Sequence, residues 1–279
     1  MKIFSKERKM RANSLEQLQD ADLQIAVKIK DICDEHALKY FLIGGSLLGA
    51  VRHKGFIPWD DDMDIALPRE DYEKLLSLLS EELPKNYFFE NFKTNKEYRY
   101  YITRVSDTNW SVKEVNDVDK KEKYASIDIF PIDGTPNNIL LRKIFYGRIL
   151  MYRALISMYY SSGINKLKKR SLIEKILIFI SKKINFKKIV NPNKLLWKID
   201  KLLKRQSYNN SHNVGTIMGA YRTKEIVDKN MFGEAIGLKF NGIKFNCPEL
   251  YDQYLTHMYG DYMKLPDDSE KRVNRHYIF

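Results

Sequence analysis

The chain has little of what builds thiol or imidazole chemistry. Its 279 residues hold two cysteines, Cys33 and Cys247, far apart and in no motif. That excludes a disulfide framework and suits a reducing compartment. The five histidines show no paired ligand spacing, so no zinc site is expected. Lys or Arg interrupts every apolar run before it reaches the length of about 20 residues that a transmembrane helix needs. The basic opening MKIFSKERKMRANS lacks the apolar core of a secretory signal. No internal repeat or low-complexity tract is visible. The expectation is a cytoplasmic protein, long enough to bury a substantial core.

Acid is scarce in one stretch. Residues 141–205 carry eighteen Lys and Arg against Glu174 and Asp200, a local charge of +16. The whole chain carries +12, so the remainder is acidic, at −4. The basic character therefore belongs to one segment, and no nucleic-acid partner is expected from it. The segment is helical in pattern, with Leu172, Ile176, Ile180 and Ile184 recurring every four residues among Lys175, Lys182 and Lys183. Such a stripe either packs on the core or lies on an anionic leaflet, so peripheral membrane contact through 141–205 stands as one of two expectations.

The most informative stretch is Tyr40–Leu67, YFLIGGSLLGAVRHKGFIPWDDDMDIAL. Tyr40–Ile43 has strand length and composition, and Gly44-Gly45-Ser46 breaks it to open a short helical pattern. Asp60, Asp61, Asp62 and Asp64 follow. On a strand, Asp60, Asp62 and Asp64 would share one face. Charges about 4 Å apart repel by roughly 4 kcal/mol at an effective dielectric near 20, so the cluster calls for a cation. Oxygen ligands without Cys or His favour magnesium or manganese. Gly44, Gly45 and Ser46 at a helix start can hold a phosphate. Arg52, His53 and Lys54 also suit phosphates, or form a solvated helix end. Each part has a plain reading, a turn and a solvated acidic loop; together they suit phosphoryl transfer.

GGSLLGAVRHKGFIPWDDDMDIAL resembles the signature of the LicD family of phosphotransferases, which is related to the fukutin-related enzymes. Gly45-Ser46 and Asp62-Met63-Asp64 match its Gly-Ser turn and Asp-hydrophobic-Asp pair, with fifteen residues between Ser46 and Asp62. SIDIFPIDG, residues 126–134, matches the block where a third acidic residue lies on a neighbouring strand; Asp128 between Ile127 and Ile129 fits it. The resemblance implies an α/β (α+β) nucleotidyltransferase-like mixed sheet flanked by helices, with a basic helical insertion. The expected divisions are a catalytic core over 1–138, the insertion over 139–210 and a completing part over 211–279. It implies that Asp62, Asp64 and Asp128 hold Mg2+ (or Mn2+) and act in catalysis. Gly44, Gly45, Ser46, Arg52, Lys54 and Arg104 would bind phosphate. The donor would be a CDP-alcohol, CDP-choline first, and the acceptor a sugar hydroxyl of a surface glycan, free or lipid-linked: a polysaccharide, teichoic acid or lipopolysaccharide precursor. The alternatives are nucleotidyl transfer to a small molecule and a non-catalytic basic module that binds membrane or RNA.

The remaining pattern is coarser. A capping box at Ser14 and Gln17 opens a helix to about His36, and Arg69–Ser80 reads as another. Tyr98–Val105 reads as a strand, Ser106–Asn109 as a turn, and Asp133 as a turn residue before Gly134. Short strands or turns are expected over 214–221 and 240–245, and a helix over 250–259. Asp261 and His276 in the tail belong to a Tyr-Gly-Asp stretch and late His that the family also shows.

Overall fold

The computed structural model describes residues 10–114, 122–160, 186–267 and 277–278. After a two-residue strand β1 (Met10–Arg11), Ser14 caps helix α1 (Leu15–Glu35) by accepting from the Gln17 amide at 3.2 Å. The Gln17 side chain returns to the Asn13 amide at 2.9 Å, so the capping box read from the sequence closes one residue upstream of Ser14. Leu18, Ile25, Ile29 and Ile32 line the buried stripe of α1. His36 ends the helix and meets Glu82 at 2.6 Å.

Strand β2 (Phe41–Leu42) leads into α2 (Gly44–Arg52), then β3 (Asp64–Pro68) and α3 (Arg69–Glu82). Next come β4 (Tyr87–Glu90) and two long strands, β5 (Thr103–Glu114) and β6 (Lys123–Gly134). Helices α4 (Ile139–Tyr159) and α5 (Pro192–Leu203) precede β7 (Asn213–Gly215) and β8 (Ile226–Asp228). The hairpin β9 (Ile236–Phe240) and β10 (Ile243–Cys247), α6 (Tyr251–Tyr259) and β11 (Tyr277–Ile278) complete the described chain. Asn241 and Gly242 both have positive φ, 47° and 81°, the backbone that a two-residue hairpin turn requires.

The main sheet is mixed, ordered β1-β5-β6-β3-β2, with β4 and β11 on β5, β7 on β6 and β8 on β7. β3 and β6 run parallel, whereas β5 and β6 are antiparallel. Ile65, Leu67, Val105, Ile127 and Ile129 are fully buried in the core that α1 covers. Each such side chain contributes about 1.5–3 kcal/mol on burial. The sequence misplaced one strand here. Ser106–Asn109 lies within β5, not in a turn, because a bulge absorbs the polar run. Buried Asp107 makes that possible by accepting from Asn86 Nδ2 at 2.8 Å and the Asn109 amide at 2.9 Å.

A second apolar cluster joins α4 (Phe145, Ile149, Ile156) to α5 (Leu195, Leu196, Ile199, Leu203) and to Phe92, Tyr101 and Ile217. The stripe expected at Leu172–Ile184 lies outside the described residues. Arg69 links the two clusters. Its guanidinium takes both oxygens of Asp133 at 2.7 Å, and also meets Tyr101 Oη at 2.8 Å, Glu73 at 3.1 Å and Asp200 at 3.3 Å. Asp133 is thus a buried ion-pair partner on β6, not the turn residue its Gly134 neighbour indicated. Among the described residues no helix is long and apolar enough to cross a membrane.

Candidate active site

Helix α2 begins on two glycines, with Ile43 at its N-cap and no side-chain cap bond. Gly44 has φ +57°; a Cβ there would sit 2.9 Å from Asp64 Oδ2, and one at Gly45 2.5 Å from Asp60 Oδ2. The helix start is therefore pressed against two carboxylates, as close as the absence of side chains permits. Its amides and dipole favour negative charge at that point. The Ser46 hydroxyl accepts from the Asp64 amide at 2.8 Å, which ties the glycine turn to the first residue of β3.

Asp64 stands beside Asp128 in the parallel β3–β6 register, on strands about 4.8 Å apart. Burial pushes the Asp64 carboxyl well above its ordinary range, and the charges of Asp62, Asp128, Asp60 and Glu225 add to the shift. The parallel register sets Asp64 beside Asp128, and Asp62, just outside the strand, lies close enough for its charge to raise the Asp64 carboxyl. The alternation expected over 60–64 does not hold: β3 starts only at Asp64, and Asp60–Met63 is irregular chain. Oxygens of Asp60, Asp61 and Asp62 can approach within 4.8 Å of one another. Asp61 is fully buried and accepts from the Tyr277 amide at 2.9 Å, so it also anchors β11.

Arg104 faces Asp128 across β5 and β6. Its Nε and Nη2 donate to the two Asp128 oxygens at 2.7 and 2.9 Å. The residues expected to serve phosphate and metal separately are bonded to each other. Arg52 and Lys54 lie at the far end of α2, about 12 Å of helix from the glycines. Arg52 donates to the Tyr262 carbonyl at 2.8 Å, and Lys54 to the Val51 carbonyl at 3.1 Å. The structure does not bring these two to the carboxylates. Asp261 is exposed, and its carbonyl accepts from the Lys264 amide at 3.2 Å; His276 lies outside the described residues.

Sequence reasoning missed Glu225. It is buried, bonded to the Thr216 hydroxyl and to the Tyr221 amide (2.6 Å), and close enough to Asp64 to raise its carboxyl. Burial pushes its own carboxyl up as well. No local pattern in residues 222–225, RTKE, signals that the last of them points inward.

The chemistry of the donor set fits a hard divalent cation: several carboxylates in mutual repulsion, with no sulfur or imidazole among them. One consequence is measurable. Asp64, Glu225 and the buried Asp22 all have folded-state values raised above their ordinary ones. Groups shifted upward favour the fold fully below about pH 4, and that contribution is lost as pH rises through their folded values. Thermal unfolding of the metal-free protein should therefore move to lower temperature as pH is raised from acid to neutral. Magnesium should restore part of the loss at neutral pH and none in acid.

Residues 37–153 match the family described as LicD/FKTN/FKRP, nucleotidyltransferase domain. The chain carries a LicD family domain. The match spans the glycine turn, the aspartates of β3 and the Asp128 strand, and Glu225 falls beyond it. The chain is similar to the lipopolysaccharide cholinephosphotransferase LicD of Haemophilus influenzae, 28% identical over 267 residues, 94% of this chain and 96% of that protein. It is also similar to the ribitol 5-phosphate transferase FKRP of human and mouse, 48% identical over 40 residues, 14% of this chain and 8% of either relative. The similarity to LicD supports an enzyme of the phosphotransferase type, and the mixed sheet flanked by helices agrees with the nucleotidyltransferase-like fold the resemblance implies.

Proposed function

We propose that the protein transfers phosphocholine from CDP-choline to a sugar hydroxyl of a cell-surface glycan precursor, free or lipid-linked. The observation that carries this reading is the pairing of Asp64 with Asp128 on adjacent strands, facing a glycine helix start that lacks a side-chain cap. The similarity along nearly the whole length of the H. influenzae cholinephosphotransferase supports the choice of alcohol.

Asp62, Asp64 and Asp128 would hold a magnesium or manganese ion, which when bound neutralises charge on the donor diphosphate. The backbone amides at Gly44 and Gly45 would hold phosphate oxygens at the helix start, with Ser46 fixing that turn against β3. Arg104 positions Asp128 with both arms of its guanidinium and adds positive charge beside the phosphates. The acceptor oxygen bonds to the distal phosphorus, the bond from that phosphorus to the CMP oxygen breaks, and the hydroxyl proton passes to a carboxylate of the cluster. Arg52 and Lys54 have no part in this reading.

The test is incubation with a panel of CDP-alcohols, magnesium and candidate glycan acceptors, followed by mass spectrometry. Release of CMP with phosphocholine on the acceptor is the expected result. An acceptor that gains a nucleoside monophosphate would replace this reading with nucleotidyl transfer. Turnover of another CDP-alcohol alone would replace choline.

A further inference from the structure

Helix α4 opens on three exposed apolar residues in a row, with Arg142 and Lys143 next. Ile139, Leu140 and Leu141 are 63%, 64% and 58% exposed, and Ile144 follows at 53%. Successive helix residues lie about 100° apart, so three exposed in a row cover more than half of the circumference. A groove on a folded partner covers a narrow stripe, whereas an apolar tip this broad, with exposed Lys143 at its margin, suits end-on entry into a fluid medium that is bounded by anionic groups. The backbone is prepared for that entry. Asn138 Oδ1 accepts from the Leu140 amide at 2.9 Å and from the Leu141 amide at 3.1 Å. Two donors of the first turn are thereby satisfied where water would be absent.

Charge of one sign surrounds the tip. Residues 139–160 and 186–205 carry eleven Lys and Arg and one acid, Asp200. That acid is buried and bonded to Arg69 and Tyr101, so it presents nothing outward. A cavity of about 440 Å³ opens between α4 and the end of α5, walled by Leu141, Ile144, Phe145 and Leu202. Exposed Arg148 and Arg205 also line it.

We infer that this end of the protein docks on an anionic lipid bilayer, with the 139–144 tip among the acyl chains and Arg148 and Arg205 on headgroup phosphates. Aliphatic side chains gain by leaving water and gain nothing against a nucleic-acid backbone. A second copy of the chain would bring like charge against like charge. Along β6 the stretch from Asp128 to Gly134 spans ~20 Å at about 3.3 Å per residue, and the chain then leads into the tip. Docking there would hold the carboxylate cluster at a set height above the membrane. The inference goes beyond the transferase reading and does not depend on which alcohol is transferred.

Flotation of the full chain with phosphatidylcholine vesicles, with and without phosphatidylglycerol, tests it. The native protein should float with the anionic vesicles, and less so as salt is raised. Ile139→Ser, Leu140→Ser and Leu141→Ser combined should weaken that binding on the order of a hundredfold, and Arg148→Gln with Arg205→Gln roughly tenfold or more. Donor hydrolysis in solution should stay at the native rate in both variants, which also reports that they are folded. No flotation with anionic vesicles at low salt overturns the inference. So does RNA binding that the serine variant retains in place of vesicle binding, or a native dimer that the serine variant converts to monomer without any effect on vesicles.

Discussion

Replacing Asp64 by Asn should reduce transfer by at least about a thousandfold, roughly 4 kcal/mol of transition-state stabilisation. The same change should stabilise the metal-free protein at neutral pH. Asp64 is crowded by burial and by the charges of Asp62, Asp128, Asp60 and Glu225, and Asn keeps the shape without the charge. A gain of about 1 kcal/mol would raise Tm by roughly 2–4 °C. The gain should vanish in acid, where the native carboxyl is protonated, and the variant should lose the stabilisation that magnesium gives the native protein. Calorimetry across pH with and without magnesium measures all three effects. A variant that is inactive but destabilised at neutral pH would show Asp64 to be a packing residue, and the proposed centre would fall.

Replacing Arg69 by Met should cost about 3–5 kcal/mol in stability, because Asp133 and Asp200 would remain buried without their shared cation. The bidentate contact to Asp133, with both bonds at 2.7 Å, and the shorter reach to Asp200 join β6 to α5 through one side chain. Burial opposes the Arg69 charge, yet Asp133, Tyr101 and Asp200 together hold it well above its ordinary range. Arg69→Lys should lose less, since it keeps the charge but only one point of contact. Urea titration reads both, and the expected fall in Tm for Arg69→Met is on the order of 10 °C. An unfolding midpoint within error of the native one would sink the assignment of Arg69 as the link between the clusters.

The glycine turn and the carboxylates were legible because their chemistry depends on residue type at short spacing. Gly44 and Gly45 are the residues that admit Asp64 and Asp60 so closely, and Asp128 announced itself as a lone acid in an apolar strand. Arg104 was legible as a basic residue at a strand but not as the partner of Asp128, since that bond follows from the β5–β6 register. Arg52 and Lys54 looked close to the aspartates along the chain, and the length of α2 holds them at its other end. Asp107 and Asp133 both read as turn residues, because local polarity cannot report a buried partner supplied from elsewhere.

By itself the sequence determined the α1 stripe, the helix start on glycine, the confinement of basic charge to one segment, and the likeness to LicD. Each of these is written in residues a few positions apart, where side-chain period and backbone freedom act directly. Tertiary structure alone decided that Glu225 joins the carboxylates, that Arg104 grips Asp128, and that Ile139–Leu141 stay uncovered. Those outcomes depend on contacts between segments up to about a hundred or more residues apart, and a contact of that kind leaves no period to read.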